Sequence, residues 1–80
     1  MKIKVYKTTT CGYCKMESEY LRSKGIKFEE IYVDNDPKAA EEMIAESGQM
    51  SVPFTVITKD DGSKVTINGF DKQKLESALA

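Results

Sequence analysis

The chain has 80 residues, 31% of them charged and 40% hydrophobic, with a formal net charge of −1. That length supports one modest core, so residues 1–80 are read as a single domain. The balanced charge offers no broad field for nucleic acid or an anionic membrane. The apolar runs span only a few residues, far short of a bilayer, so neither partner is expected.

The elements follow in chain order. Met1 leads directly into Lys2-Ile3-Lys4-Val5-Tyr6, where apolar and polar residues alternate as in a half-buried strand. This start has no apolar h-region or small-residue cleavage site, so a cytoplasmic location is expected. Lys7 to Thr10 reads as a polar loop, with Thr10 placed to cap the next helix. That helix opens at Cys11-Gly12-Tyr13-Cys14 and ends near Lys24, with Gly25 as its stop. Cys14, Ser18 and Leu21 share its buried face, while Glu17, Glu19, Arg22 and Lys24 are expected to face solvent.

Ile26, Phe28, Ile31 and Val33 mark a second strand whose alternation slips at Glu29-Glu30, the sign of a bulge or a shifted boundary. Asp36 caps a second helix with Pro37 in its first turn. Ala40, Met43, Ile44 and Ser47 form its helical stripe, and Gly48 stops it. Phe54 to Thr58 is rich in β-branched residues and reads as a strand. Asp61-Gly62 predicts a two-residue hairpin turn into a partner strand carrying Val65 and Ile67. Asp71 caps a last helix with Leu75, Ala78 and Leu79 on its apolar side. Tyr6 is assigned to the core or its rim, and Met16, Met43 and Met50 to packing.

The order βαβ-α-ββα predicts an α/β fold. A parallel first pair and an antiparallel hairpin join in one four-stranded mixed sheet flanked by three helices.

The chemistry concentrates in the two cysteines, Cys11 and Cys14, the full cysteine complement of the chain. A cysteine at a helix start meets unpaired backbone N–H groups and the positive end of the helix dipole, which favour the reactive thiolate. A second cysteine three positions on lies within about one helical turn and can close a disulfide on the first. Cys11 is thus placed to attack a disulfide and Cys14 to resolve the mixed disulfide. As a stabilising staple the pair would do little, because it closes almost no loop. The chain has no histidine, so histidine-based acid–base chemistry and histidine metal ligation are excluded.

With Cys11-Gly12-Tyr13-Cys14 beside a βαβ pattern, the late ββ hairpin, Ser51-Val52-Pro53 and Gly69-Phe70-Asp71, the chain resembles a glutaredoxin or glutaredoxin-like redoxin over essentially its whole length. The resemblance implies a thioredoxin fold. It also implies a dithiol thiol–disulfide oxidoreductase that reduces glutathione mixed disulfides or protein disulfides. Glutathione or a flavin reductase would serve as electron donor, and no metal is expected. The local residues leave Pro53 open as a plain turn proline or a cis one; the resemblance implies cis. It further implies that Val52 offers its backbone to the bound thiol substrate, and that Lys7, Tyr13, Pro53, Gly69, Phe70 and Asp71 help to grip it. A monomer is expected.

The chain departs from the family pattern in several places. Gly12 stands for the motif proline, Asn68 for the first glycine of a Gly-Gly pair and Lys72 for a second aspartate. Thr8 occupies the usual lysine position, with Lys7 one step off. These changes weaken the implied glutathione site. The Asn-Gly-Phe stretch also resembles the redoxins that serve ribonucleotide reductase and draw electrons from thioredoxin reductase. A third reading is a dimeric metal or iron–sulfur module: two chains would supply four sulfurs to a metal, or, as the resemblance implies, bridge a cluster together with glutathione thiols.

Overall fold

In the computed structural model, which describes residues 1–80, seven elements follow one another: β1 (Lys2–Lys7), α1 (Gly12–Ser23), β2 (Glu29–Tyr32), α2 (Pro37–Ser47), β3 (Phe54–Thr58), β4 (Lys64–Asn68) and α3 (Lys72–Leu79). The strands form one sheet in the order β2-β1-β3-β4. β1 and β2 run parallel, with Tyr6 opposite Ile31. β1–β3 and β3–β4 are antiparallel, pairing Val5 with Thr55 and Thr55 with Ile67. This is the expected mixed sheet.

Alternation along β1 and β3 divides the interior into two cores. Ile3 and Val5 pack with Leu21, Ile57, Ile67, Leu75 and Ala78, the side covered by α1 and α3. Tyr6 faces the opposite way, packing with Val33, Ala39, Ala40, Met43, Phe54 and Val56 beneath α2. Both layers are needed because a central strand must bury both its faces.

Helix ends follow local chemistry. The Asp36 carboxylate accepts from the Ala39 N–H, with Pro37 in the first turn, and Gly48 ends α2 at φ +76°. Asp71 accepts from the Lys74 N–H and caps α3. Cys11 caps α1 in place of Thr10: its Sγ accepts from the Cys14 N–H at 3.1 Å. Sulfur takes the role of the expected hydroxyl because the helix starts one residue later.

Other expectations are corrected too. β2 begins only at Glu29, so Ile26 and Phe28 precede the strand and pack against the α1/α3 core from the connection. The hairpin turn has three residues, Asp60-Asp61-Gly62. Lys59 and Ser63 pair across it, and the Gly62 N–H donates to the Lys59 carbonyl. Gly62 sits at φ +90°, the bulge geometry of three-residue loops. Met43 is buried as expected, whereas Met16 and Met50 lie on the surface, 50% and 69% exposed.

Leu21 is fully buried in the α1/α3 core. Leu21→Ala should therefore lower unfolding stability by about 2–5 kcal/mol in denaturant titration. A change near zero would show that α1 does not anchor that core.

Candidate active site

β1 delivers the chain to a short loop, and the loop turns it into α1. The Cys11 N–H donates to the Thr8 carbonyl and the Lys15 N–H to the Cys11 carbonyl, which fixes the turn. Thr9 ties the loop to the segment after β2, donating to Asp34 Oδ2 from its backbone N–H at 3.1 Å and its hydroxyl at 2.6 Å. These bonds hold the exposed Asp34 carboxyl below its ordinary range.

At the helix start Cys11 and Cys14 are joined in a disulfide, with Cα atoms 5.2 Å apart. The two sulfurs have different surroundings. Cys11 is partly exposed, whereas Cys14 is fully buried. The Cys11 sulfur also accepts the Cys14 N–H described above, a donor that would stabilise negative charge there. Tyr13 stands beside the pair, 65% exposed.

The expected gripping residues divide into two groups. On one side, Val52 and Pro53 are joined by a cis peptide bond, as expected. Val52 is half-buried and Pro53 is buried. The Gly69 N–H donates to the Pro53 carbonyl at 2.8 Å, which brings the two loops together. Gly69 sits at φ +79°, a conformation that side chains resist. Phe70 packs against the α1/α3 core and meets Tyr20 edge-on, with ring centroids 6.0 Å apart. Asp71 is committed to capping α3.

Lys7 has a different environment from the loop lysine expected. It is the last residue of β1 and only 6% exposed. Its Nζ donates to Ser18 Oγ at 2.7 Å and Glu30 Oε1 at 3.1 Å, and lies 5.4 Å from the centre of the Tyr32 ring. Arg22 Nη2 donates to the same Glu30 oxygen at 2.7 Å. Burial pushes the Glu30 carboxyl up, but the Lys7 hydrogen bond and charge, the Ser18 hydroxyl and the Arg22 charge outweigh it and hold it below its ordinary value. This network forms one wall of a cleft of about 410 Å³ that reaches Cys11 and Lys15.

Glu17 is the larger correction. Expected at the surface, it is fully buried, with Oε2 accepting the hydroxyl of Thr55 and Oε1 left without a partner. Positions 14, 17, 18 and 21 form one stripe at helical spacing. The pattern thus placed Glu17 inside, and only its charge argued otherwise. Burial raises its carboxyl above the ordinary 4.5, with the Thr55 hydrogen bond and the Lys7 charge pulling back only in part. No group of three or more His, Cys, Asp or Glu is gathered as a metal site, and no helix is long and apolar enough to cross a membrane.

Half-buried Glu30 and buried Glu17 have opposite linkage to folding. Glu30, held low, contributes stability above its unfolded pKa and loses it as pH falls through the native value. Glu17, held high, contributes below its unfolded pKa and loses it as pH rises through the native value. Relative to a Glu17→Gln variant, the protein should therefore lose stability between acid and neutral pH, measured as denaturant midpoints across that range. A constant difference would mean that Glu17 titrates as an exposed carboxyl.

Comparison with known proteins agrees with this geometry. The Glutaredoxin family model matches residues 3–61. A glutaredoxin-like 8.6 kDa protein of the rubredoxin operon of Clostridium pasteurianum is 40% identical over 77 residues, 96% of each chain. The glutaredoxin of Archaeoglobus fulgidus superposes with a TM-score of 0.82 at 28% identity, covering 98% of this chain and 85% of that one. The glutaredoxin-like NrdH-redoxin of Escherichia coli, described as having a thioredoxin-like activity profile, superposes with a TM-score of 0.77 at 28% identity over 95% and 93%. With its mixed sheet of thioredoxin topology and its Cys11–Cys14 pair at a helix start, the chain belongs to the glutaredoxin family of thiol redoxins.

Proposed function

We propose that the protein reduces disulfides by dithiol exchange, with Cys11 as nucleophile and Cys14 as resolving thiol. The observation that carries this reading is the asymmetry of the pair: a partly exposed cysteine whose sulfur accepts a backbone N–H, and a buried cysteine one turn on. An accessible thiolate captures the substrate sulfur. The sealed neighbour reaches only what is already attached to Cys11.

In the first step the Cys11 thiolate attacks a substrate disulfide, forming a mixed disulfide and releasing one thiolate. In the second, Cys14 attacks the Cys11 sulfur. The bond to the substrate breaks, its electron pair leaves with the substrate thiolate, and the Cys11–Cys14 disulfide remains. A two-electron donor then restores the dithiol. Sulfur carries the electrons throughout, so no further cofactor is required.

Protein disulfides and glutathione mixed disulfides are the proposed substrates. Val52 presents its backbone to the substrate chain in the manner of strand addition. Tyr13, Pro53, Gly69 and Phe70 supply the surrounding contact surface, and Asp71 adds a carboxylate. The proposed location is the cytoplasm, where the thiol pool keeps such pairs reduced.

The Lys7 network favours a particular electron donor. A lysine that grips a glutathione carboxylate needs a free ammonium group, and that of Lys7 is held by Ser18 and Glu30. Lys72 also puts a positive charge where the family usually has an aspartate. Both features support a flavin-dependent disulfide reductase as donor, in the manner of the redoxins that serve ribonucleotide reductase. The thioredoxin-like profile of the Escherichia coli NrdH-redoxin supports the same reading.

Turnover assays with each donor test the proposal. Cys11→Ser should abolish disulfide reduction. Cys14→Ser should lose protein-disulfide reduction while keeping any route that runs on glutathione alone. The unmodified protein should turn over faster with thioredoxin reductase than with glutathione and its reductase. Normal turnover by Cys11→Ser would overturn the roles, and a preference for glutathione would overturn the donor assignment.

A further inference from the structure

The exchange chemistry leaves one buried group on α1 unused. Glu17 is fully buried, one carboxylate oxygen accepts from Thr55, and the other has no partner. An unsatisfied buried acceptor costs about 1–3 kcal/mol, and more when charged. For packing alone, Leu or Met would fill this position without that penalty.

Cys14 is equally sealed from solvent, yet it must lose a proton before it can attack the Cys11 sulfur. Glu17 follows it by three residues on the same face, where Cβ atoms are roughly 5–6 Å apart. Helical side chains lean toward the N-terminus, so the turn that carries Cys14 is the one over which a side chain at position 17 leans. Thr55 follows the cis proline Pro53 by two positions, so the Glu17–Thr55 pair lies at the end of β3 nearest the Val52-Pro53 loop.

The elements packed against this face offer no rival acceptor. β1 brings Ile3, Val5 and the cation Lys7; β3 brings Ile57 and Thr55; β4 brings Ile67; and α3 brings Leu75 and Ala78. Lys7 is the charged group whose field reaches Glu17. Beyond it lies Glu30, engaged by Lys7 and Arg22.

We propose that Glu17 accepts the proton of Cys14 in the resolving step, a role that rests on the dithiol exchange described above. The Cys14 thiol gives its proton to the Glu17 carboxylate, and its sulfur bonds to that of Cys11. The bond from Cys11 to the substrate breaks, and the substrate thiolate leaves with the electron pair. Glu17 then returns the proton to the departing thiolate or to water. Burial brings the carboxyl closer to the thiol range, which makes the transfer less uphill.

Stopped-flow mixing of the reduced full chain with a chromogenic bis(nitrobenzoate) disulfide separates the two steps. The first released thiolate reports capture by Cys11, and the second reports resolution by Cys14. The second phase of the wild-type protein should rise with pH to a plateau as Glu17 ionises. In Glu17→Gln it should slow by about a hundredfold near neutral pH and climb with pH without that plateau. Thr55→Val removes the hydrogen bond that holds the carboxyl down, so its inflection should move to higher pH.

A Glu17→Gln second phase with the wild-type rate and pH profile would overturn the inference. Should that variant fail to fold, an unmoved inflection in Thr55→Val would do the same. A first phase present in the wild-type protein alongside either result leaves the dithiol reading standing; its absence would sink both.

Discussion

The backbone N–H of Cys14, donating to the sulfur of Cys11, is the contact on which the rest of the molecule bears. It exists because the chain leaves β1, turns over its threonine loop and enters α1 with a cysteine at the capping position. A hydroxyl or carboxylate at that position would complete the helix equally well. Sulfur completes it and, on the proposed mechanism, puts the nucleophile where the backbone can stabilise its charged form. Helix start and reactive site are one local structure.

That arrangement holds only if α1 is fixed against the sheet, which depends on two kinds of contact. Leu21 seats the helix on an apolar floor shared by β1, β3, β4 and α3, and Cys14 is buried earlier on the same stripe. Beside them runs a polar seam, Ser18 to Lys7 to Glu30 to Arg22, which crosses from α1 through β1 to β2 and back. A buried ammonium must be paired, and pairing it within the fold withdraws it from solvent ligands. The same lysine thus positions the helix and weakens the case for a glutathione carboxylate site.

Much of this was legible in the sequence. Asp36, Asp71 and the two glycines ending α1 and α2 mark helix boundaries through local chemistry that tertiary contacts do not change. The Cys-x-x-Cys spacing located the reactive pair. The cis bond at Pro53 was legible only through the family resemblance, since the local residues fit a plain turn as well. Two of the failures share a cause: polarity reads as exposure. Glu17 and Lys7 are charged, which argues for solvent, although Glu17 falls on the apolar stripe and Lys7 continues the alternation of Ile3 and Val5. Their partners, Thr55 on β3 and Glu30 on β2, are 38 and 23 residues away, beyond the reach of a local pattern. The Thr10 cap failed for a simpler reason: capping preferences favour oxygen, and here the capping atom is sulfur.

The proposed exchange requires a Cys11 sulfur made acidic by the helix start and a Cys14 that stays shielded. Iodoacetamide alkylation of the reduced chain, followed across pH by mass mapping of each cysteine, tests it directly. Cys11 should react first and titrate well below the roughly 8.5 of an unperturbed thiol, with Cys14 slow throughout. Two cysteines alkylated at similar rates, both titrating as unperturbed thiols, would contradict it.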